Sequence, residues 1–178
     1  MRRFRRSERG ALAVEFALIS PFFLGLLFGI IEVALTFWST QVLETAVSNA
    51  ARQIYTGSFQ TTAANNPSAT GYNSATALAN FKNLVCANVT AVFNCQRLIS
   101  VDVRRVAGST WTAPSAPISN GVYDPSSFGY SPPGKNEICV VRAAMEYPVY
   151  VNLLGYATGL RSGNRLVMAS SAFRTEPY

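Results

Sequence analysis

The longest apolar stretch lies near the start of the chain. Between residues 11 and 38 only Glu15 and Glu32 carry a charge. As an α-helix these 28 residues would extend about 42 Å, which exceeds the roughly 30 Å hydrocarbon core of a bilayer. Pro21 falls inside the stretch, and membrane helices tolerate a proline when neighbouring groups satisfy the freed backbone. The pattern predicts one membrane-spanning helix over residues 11–38.

The helical pattern continues past the apolar stretch as an amphipathic one. Within residues 39–56, apolar side chains recur at the spacing of one helix face: Leu43, Ala46, Val47, Ala50, Ala51 and Ile54. The segment contains no glycine until Gly57, which is a typical helix stop. We expect a single helix from about residue 11 to Tyr55, whose second half packs on a domain formed by residues 57–178.

The rest of the chain predicts a small domain of helix and sheet. Residues 57–74 are rich in Ser, Thr, Asn and Gly, which predicts a surface loop, and residues 75–86 have a helical spacing of apolar side chains. Strands are predicted at residues 97–106, 138–146 and 165–176, with a short helix or turn at 151–160. The fold class is therefore α+β: a long transmembrane and amphipathic helix packed on a small antiparallel sheet, in a single-pass membrane protein.

The first predicted strand alternates Ile99, Val101 and Val103 with polar residues, as a half-buried strand does. We accordingly expect the acids of the domain to face solvent: Asp102, Asp124, Glu137 and Glu146. Residues 108–135 form a long loop with five prolines, and loops of that length are usually functional or mobile. Its aromatic side chains either form a contact surface or pack back onto the sheet: Tyr123, Phe128 and Tyr130.

The charge distribution excludes nucleic acid as the expected partner. The net charge is +6, but residues 1–10 hold five Arg and one Glu and so carry +4 of it.

No histidine occurs, which removes the commonest general base and transition-metal ligand. The sequence also has no nucleophile elbow, phosphate-binding glycine loop or metal-ligand spacing. We expect a protein that is not an enzyme and has no cofactor or metal.

Three cysteines lie beyond the apolar stretch, on the side opposite the arginines, where a periplasmic or external location would permit disulfides. A bridge between Cys86 and Cys95 would tie the predicted second helix to the first strand and stabilise the domain by about 2–3 kcal/mol. The competing pairing is Cys95 with Cys139. Cys139 lies within a strand pattern and is otherwise expected to be a small buried apolar residue.

The first residues combine a basic cluster with an unusual carboxylate. Five arginines precede Gly10, and such a cluster holds an N-terminus in the cytoplasm. Glu15 follows within the apolar stretch, where a carboxylate costs about 2.5–3.5 kcal/mol at a helix centre. A cleaved secretory signal is one alternative, although the apolar region is long for one and no clear cleavage site follows it. A carboxylate that extends to the lipid headgroups is a second alternative, for Glu15 alone.

Two further features of the apolar stretch have more than one interpretation. Gly25 and Gly29 form a small-residue pair that permits close approach of another helix, or they occur there by chance. Glu32 lies near the far membrane interface, where we expect it to be solvated.

The segment from Gly10 to Phe16 resembles the processing site of type IV prepilins, and most closely that of the tight-adherence (Tad) branch. There a glycine is followed by four residues and then by Glu with Phe or Tyr, here Glu15 and Phe16. The stretch RGALAVEFALISPFFLGLLFGIIEVALTFW is similar to the TadE family of pilin-like proteins, and RLVMASSAFRTEPY resembles the closing strand of that family.

The resemblance implies a processing and assembly pathway. A prepilin peptidase would cut after Gly10 on the cytoplasmic side and expose the amine of Ala11. Glu15 would then neutralise that amine in its own or a neighbouring subunit. The implied partners are that peptidase, other pilin-like subunits, Tad inner-membrane assembly proteins and the lipid bilayer.

The resemblance also implies a location and a role. The protein would be a structural component in the bacterial inner membrane, with a periplasmic domain, and a pilus at the cell surface is the further location that the resemblance implies. Ala11 departs from the Phe that begins many mature pilins, so N-terminal methylation is not assumed. The size of the domain favours a minor pilin or pseudopilin. The alternative function is an uncleaved, membrane-anchored binding or scaffold domain of the cell envelope.

Overall fold

The computed structural model describes residues 8–89, 93–106, 114–151 and 159–177. The first element, α1, is a single helix over Glu8–Tyr55 that continues through Pro21. It ends before Gly57, whose φ of 75° lies in the left-handed region that glycine adopts without strain. The Gly57 N–H donates to the carbonyl of Ile54 and closes the last turn. The prediction of one helix that reaches Tyr55 and stops at Gly57 is confirmed.

The other elements follow in chain order. A short 3-10 turn at Ser58–Thr61 precedes helix α2 at Ser74–Ala87, which Asn73 caps by accepting from the backbone N–H of Ala75 at 2.8 Å. The remaining elements are α3 (Cys95–Leu98), β1 (Ile99–Val106), β2 (Ile118–Ser119), β3 (Val122–Tyr123), β4 (Ile138–Tyr147) and β5 (Arg165–Arg174). The three predicted strands and the second helix are confirmed. Most of the short helix or turn predicted at 151–160 lies outside the described residues.

The three long strands form one antiparallel sheet in the order β1-β4-β5. In its register, Val103 of β1 lies beside Val141 of β4, and Val141 lies beside Ser171 of β5. The short strands β2 and β3 form a separate hairpin, whose turn residues Asn120 and Gly121 both have positive φ, as tight hairpin turns require. The predicted α+β class, with one long helix on a small antiparallel sheet, is confirmed.

The core lies between the second half of α1, α2 and one face of the sheet. Leu43, Val47 and Ile54 of α1 are almost fully buried, and each large apolar side chain removed from water contributes about 1.5–3 kcal/mol. Phe59 packs edge-on against Phe81 of α2 with ring centroids 5.6 Å apart. The expectation that residues 57–74 form only a surface loop is therefore wrong in part, because the 3-10 turn contributes Phe59 to the core.

The opposite face of the sheet is covered over β1 and β4, which corrects the expectation for Asp102. This carboxylate is fully buried, because residues 114–133 fold back over β1 and β4. Its Oδ2 accepts from Nη2 of the buried Arg142 at 2.6 Å, and its Oδ1 accepts from the backbone N–H of Gly129 at 2.8 Å and from Nε of Arg104 at 2.8 Å. Asp102 thus links two strands to the loop, whereas Asp124 is exposed as predicted.

Of the two interpretations of the long loop, the described part supports packing onto the sheet. The Tyr130 ring is buried 5.9 Å from that of Phe59, and the Phe128 ring lies 5.1 Å from the guanidinium of Arg142. The Tyr123 hydroxyl donates to the carbonyl of Ala144 at 3.1 Å. Burial raises the pKa of the Tyr123 phenol, Ser100 lowers it through a hydrogen bond, and the Glu146 charge raises it.

The predicted disulfide between Cys86 and Cys95 is present and joins the last turn of α2 to α3. The competing pairing of Cys95 with Cys139 is wrong, because Cys139 is a free, buried thiol on β4. Burial, with a smaller contribution from the Asp102 charge, raises the pKa of Cys139 to about 12. This thiol is neutral at ordinary pH and behaves as the small apolar residue that the strand pattern predicts.

Candidate functional site

The first half of α1 exposes apolar side chains all around the helix. Leu12, Phe16 and Phe22 are 65%, 74% and 81% exposed, and the large apolar residues remain exposed as far as Trp38. The most apolar 18-residue window of the helix has a mean hydropathy of 2.2 and is only 11% buried by the rest of the molecule. Monomeric soluble proteins rarely expose an apolar surface of this size. This half of α1 is long and apolar enough to span a membrane.

The predicted processing residues lie at the start of this exposed half. Gly10, Ala11, Glu15 and Phe16 are all exposed helical residues, and a side chain built at Gly10 would meet nothing within 4 Å. Ala11 and Glu15 are four residues apart and so lie on one helix face, within one turn of each other. The fold keeps all four residues away from the domain.

The small-residue pair lies further along the same helix. Gly25 and Gly29 are half-buried by their own helix, and a side chain built at Gly29 would meet nothing within 4 Å. The two glycines lie in one stripe along the helix with Glu32, Thr36 and Ser39. Successive members of this stripe are four, three, four and three residues apart, which keeps them on one helix face. The two glycines therefore face the same side of α1 as the domain does.

A polar seam marks the point where α1 passes from exposed to packed. We define it as Glu32, Thr36 and Ser39 of α1 with Tyr147 at the end of β4. The three α1 residues are 7%, 8% and 1% exposed. The Thr36 hydroxyl donates to the Glu32 carbonyl at 2.9 Å, and the Ser39 hydroxyl donates to the Leu35 carbonyl at 2.8 Å. Both hydroxyls therefore donate their hydrogen bonds to carbonyls of their own helix.

Tyr147 links the seam to the sheet. Burial raises the pKa of its phenol, a hydrogen bond with Ser39 lowers it, and the charge of Glu32 raises it. The expectation that Glu32 is solvated is wrong, because the domain covers it. Its Oε1 has no hydrogen-bond partner in the part of the chain that the structure describes. A buried carboxylate oxygen without a partner is costly, so the seam is a weak point in an otherwise apolar contact.

Most of α1 matches the model of a known protein family. Residues 10–52 match the family model of TadE-like proteins. The matched segment begins at the predicted processing residue, crosses the polar seam and ends three residues before α1 does. No curated protein and no solved structure matches the chain significantly.

The TadE-like segment thus contains every predicted processing, assembly and helix-packing residue. It also contains most of the polar seam, whose burial was not among the predictions from the sequence. The signal was present, because Glu32, Thr36 and Ser39 precede the buried Leu43 at the same helical spacing.

The chemistry available outside the TadE-like segment is limited. Among the described residues, no three His, Cys, Asp or Glu side chains come together in a way that could hold a metal ion. The grooves on the described surface include one of about 310 Å³ between α2 and the long loop and one of about 340 Å³ beside Gly57. Lys82 lines the first, and burial lowers the pKa of its amine. The structural features that stand out are therefore those of α1.

Proposed function

We propose that this protein is a pilin-like component, of the minor pilin or pseudopilin kind, of a Tad-type pilus assembly and secretion system. The observation that carries the proposal is the division of α1 within the TadE-like match. One half exposes an apolar surface that fits a membrane or a bundle of similar helices, and the other half is built into a domain. A subunit that is stored in a membrane and later assembled needs both halves in one rigid element.

The proposed maturation begins with the basic leader, residues 1–10. Its five arginines would hold the N-terminus in the cytoplasm and place the domain of residues 57–178 in the periplasm. A prepilin peptidase would then cut after Gly10. The exposed position of Gly10 and its lack of a side chain suit close approach by a protease.

Cleavage would change the electrostatics at the start of the helix. It would remove the arginines and leave the amine of Ala11 one turn from Glu15 on the same face. In hydrocarbon, a carboxylate near a positive amine is far more favourable than a carboxylate alone, because the low dielectric strengthens their attraction. Glu15 is exposed and has nothing packed on it, so the amine of a neighbouring subunit can reach it as well.

Assembly would bring the exposed halves of several helices together. Phe16 offers a large apolar contact, and the lack of side chains at Gly25 and Gly29 would permit another helix backbone to approach closely. The proposed partners are other pilin-like subunits and the inner-membrane assembly proteins of the Tad system. The size of the domain after α1 favours a minor component of the pilus over the main subunit of its shaft. A structural role of this kind requires no catalytic residue, cofactor or metal.

Two variants, each with a control variant, separate processing from assembly. Gly10→Val should block removal of the leader, whereas Gly29→Val, also at an open position, should be processed normally. Glu15→Ala should be processed but should fail to assemble, and the exposed Glu44→Ala in the packed half should assemble. Immunoblots of membranes measure processing, and recovery of sheared surface pili measures assembly. Normal pili from Gly10→Val cells would refute the proposal and favour an uncleaved, anchored scaffold.

A further inference from the structure

The two edges of the three-stranded sheet differ in whether another part of the chain pairs with them. At the β1 edge, the N–H of Val103 donates to the Gly129 carbonyl at 2.8 Å, and the N–H of Ser131 donates to the Val103 carbonyl at 2.8 Å. The long loop thus pairs with β1 in parallel fashion and caps it. Natural proteins commonly protect a sheet edge in this way, because open edges attract further strands.

At the β5 edge, no described residue pairs with the strand in this way. Its ten residues pair with β4 along their whole length. In the part of the chain that the structure describes, no backbone hydrogen bond leaves the other side of β5. Residues 166–173 contain no charge and no proline, and the register runs without a bulge. Charges, prolines and bulges usually discourage strand addition, and residues 166–173 have none of them.

One face of β5 is open together with its edge. Val167 and Ala169 are buried beneath α1, while Met168, Ser170 and Ala172 point to the other face and are exposed. The long loop that covers this face over β1 and β4 does not cover them. An added strand would therefore find free backbone groups and a mildly apolar strip beside them.

The direction of β5 argues against a second copy as the occupant. β5 runs in the same direction as α1. The start of β5 lies near Ser39, because Tyr147, the register partner of Arg165, is hydrogen-bonded to Ser39. The end of β5 lies near the end of α1, because the ring of Phe173 stacks edge-on with the ring of Tyr55. Copies anchored in one membrane therefore all have β5 pointing away from it. Antiparallel self-pairing would place the second anchor on the opposite side. Parallel self-pairing about a two-fold axis would set identical backbone groups face to face, where they cannot bond.

The charge at the end of the edge indicates what the occupant carries. Arg174 is exposed and forms no salt bridge in the described part of the chain, its Nε being bonded to the Asn136 carbonyl at 3.0 Å. A carboxylate on an added strand would complement it, and opposite charges across strands are favourable.

We propose that β5 is a docking edge for an extended segment of a different protein chain, uncharged over its centre and carrying a carboxylate where it reaches Arg174. The inference rests on the proposed function only through the membrane anchor that orients β5.

Site-specific photo-crosslinking in cells tests this edge on the full chain. A benzophenone amino acid replaces the exposed Ser170, and a control places it at the exposed Thr45 of α1. We expect an adduct with a different chain from Ser170 and none from Thr45, and the crosslinked peptide should be uncharged with an Asp or Glu at one end. A doublet of this chain, a crosslinked peptide without such an acid, or equal yields at both positions would overturn the proposal.

A second variant makes the result specific to the edge. Ala172→Lys places a charge on the open face and should lower the adduct yield from Ser170 about tenfold, equivalent to about 1.4 kcal/mol. Val122→Lys, at an exposed position on β3, should leave the yield unchanged. An unchanged yield with Ala172→Lys would contradict docking at β5.

The same samples distinguish the two proposals. Intact mass shows whether the leader has been removed. A mature chain beginning at Ala11 without a Ser170 adduct overturns only the docking edge, whereas a full-length functional chain overturns the proposed pilin-like function.

Discussion

The two halves of α1 are one continuous helix in two different environments. In the first half, large apolar side chains such as Phe22 are exposed on all sides. In the second half, Leu43, Ala50 and Ile54 are fully buried by the domain and the remaining faces are solvated. The first half takes its stability from a surrounding that the chain does not supply, and the second from contacts within the chain. This division fits the proposed function, in which one helix is held in a membrane and also carries a folded domain.

The two carboxylates of α1 sharpen this comparison. Glu15 is exposed in the first half and free to meet a partner from outside. Glu32 is 7% exposed at the boundary, where the domain covers it. Their sequence contexts are alike, an acid within apolar residues, yet only Glu15 has the exposure that its proposed role in assembly requires.

The largest expected effect comes from breaking the domain that holds the second half. Asp102→Ala leaves the buried Arg142 without its carboxylate, which should lower the free energy of unfolding by about 3–5 kcal/mol. In detergent micelles the near-ultraviolet circular dichroism of the domain should melt earlier, while the far-ultraviolet helix signal of the first half should persist. The exposed Glu44→Ala should change stability by no more than about 0.5 kcal/mol. Equal melting of both variants would contradict the burial of Asp102.

A pair of leucine truncations tests the two halves directly. Leu43→Ala removes a fully buried side chain and should lower the free energy of unfolding by about 2–5 kcal/mol. Leu26→Ala removes a side chain that is 63% exposed and should leave the unfolding of the domain unchanged. Thermal unfolding of the full chain in micelles provides the comparison. A similar loss from both variants would show that the halves are not distinct.

Cys139 reports on the packed half without a mutation to the core. Burial raises the pKa of its thiol from 9.0 to about 12, so the thiol should resist alkylation by iodoacetamide at pH 8 until the domain unfolds. Between pH 9 and 12 the unfolded thiol ionises and the folded one does not, so this group should lower stability as the pH rises through that range. Rapid alkylation of the folded chain at pH 8 would contradict the burial of Cys139.

The smallest expected effect is at the boundary between the halves. Glu32→Gln keeps the shape of the side chain but removes a buried charge whose Oε1 has no described partner, so stability should stay the same or rise by about 1 kcal/mol. Glu15→Gln should not alter the unfolding of the domain. A loss of more than about 1 kcal/mol from Glu32→Gln would reveal an ionic partner for Glu32.

Local patterns were sufficient for most of the fold. The limits of α1, the helix α2 and the three long strands follow from periodicity, capping and glycine punctuation, which act within a few residues. The Cys86–Cys95 bridge could also be anticipated, since it joins the ends of neighbouring elements.

The errors concern burial by distant parts of the chain. Asp102 was expected to face solvent, because alternation in β1 shows which residues share a face but not whether a loop covers that face. Its partners Gly129 and Arg142 lie 27 and 40 residues away. Glu32 was misjudged for a similar reason, although its spacing from Thr36 and Ser39 pointed to the packed stripe.

We propose that the first half of α1 belongs to a processed, membrane-stored subunit. Intact mass and N-terminal sequencing of the protein extracted from membranes of cells that make pili test it most directly. We expect a mature chain that begins at Ala11 and has lost all five arginines of residues 1–10. A chain that retains those arginines in fully piliated cells would contradict it.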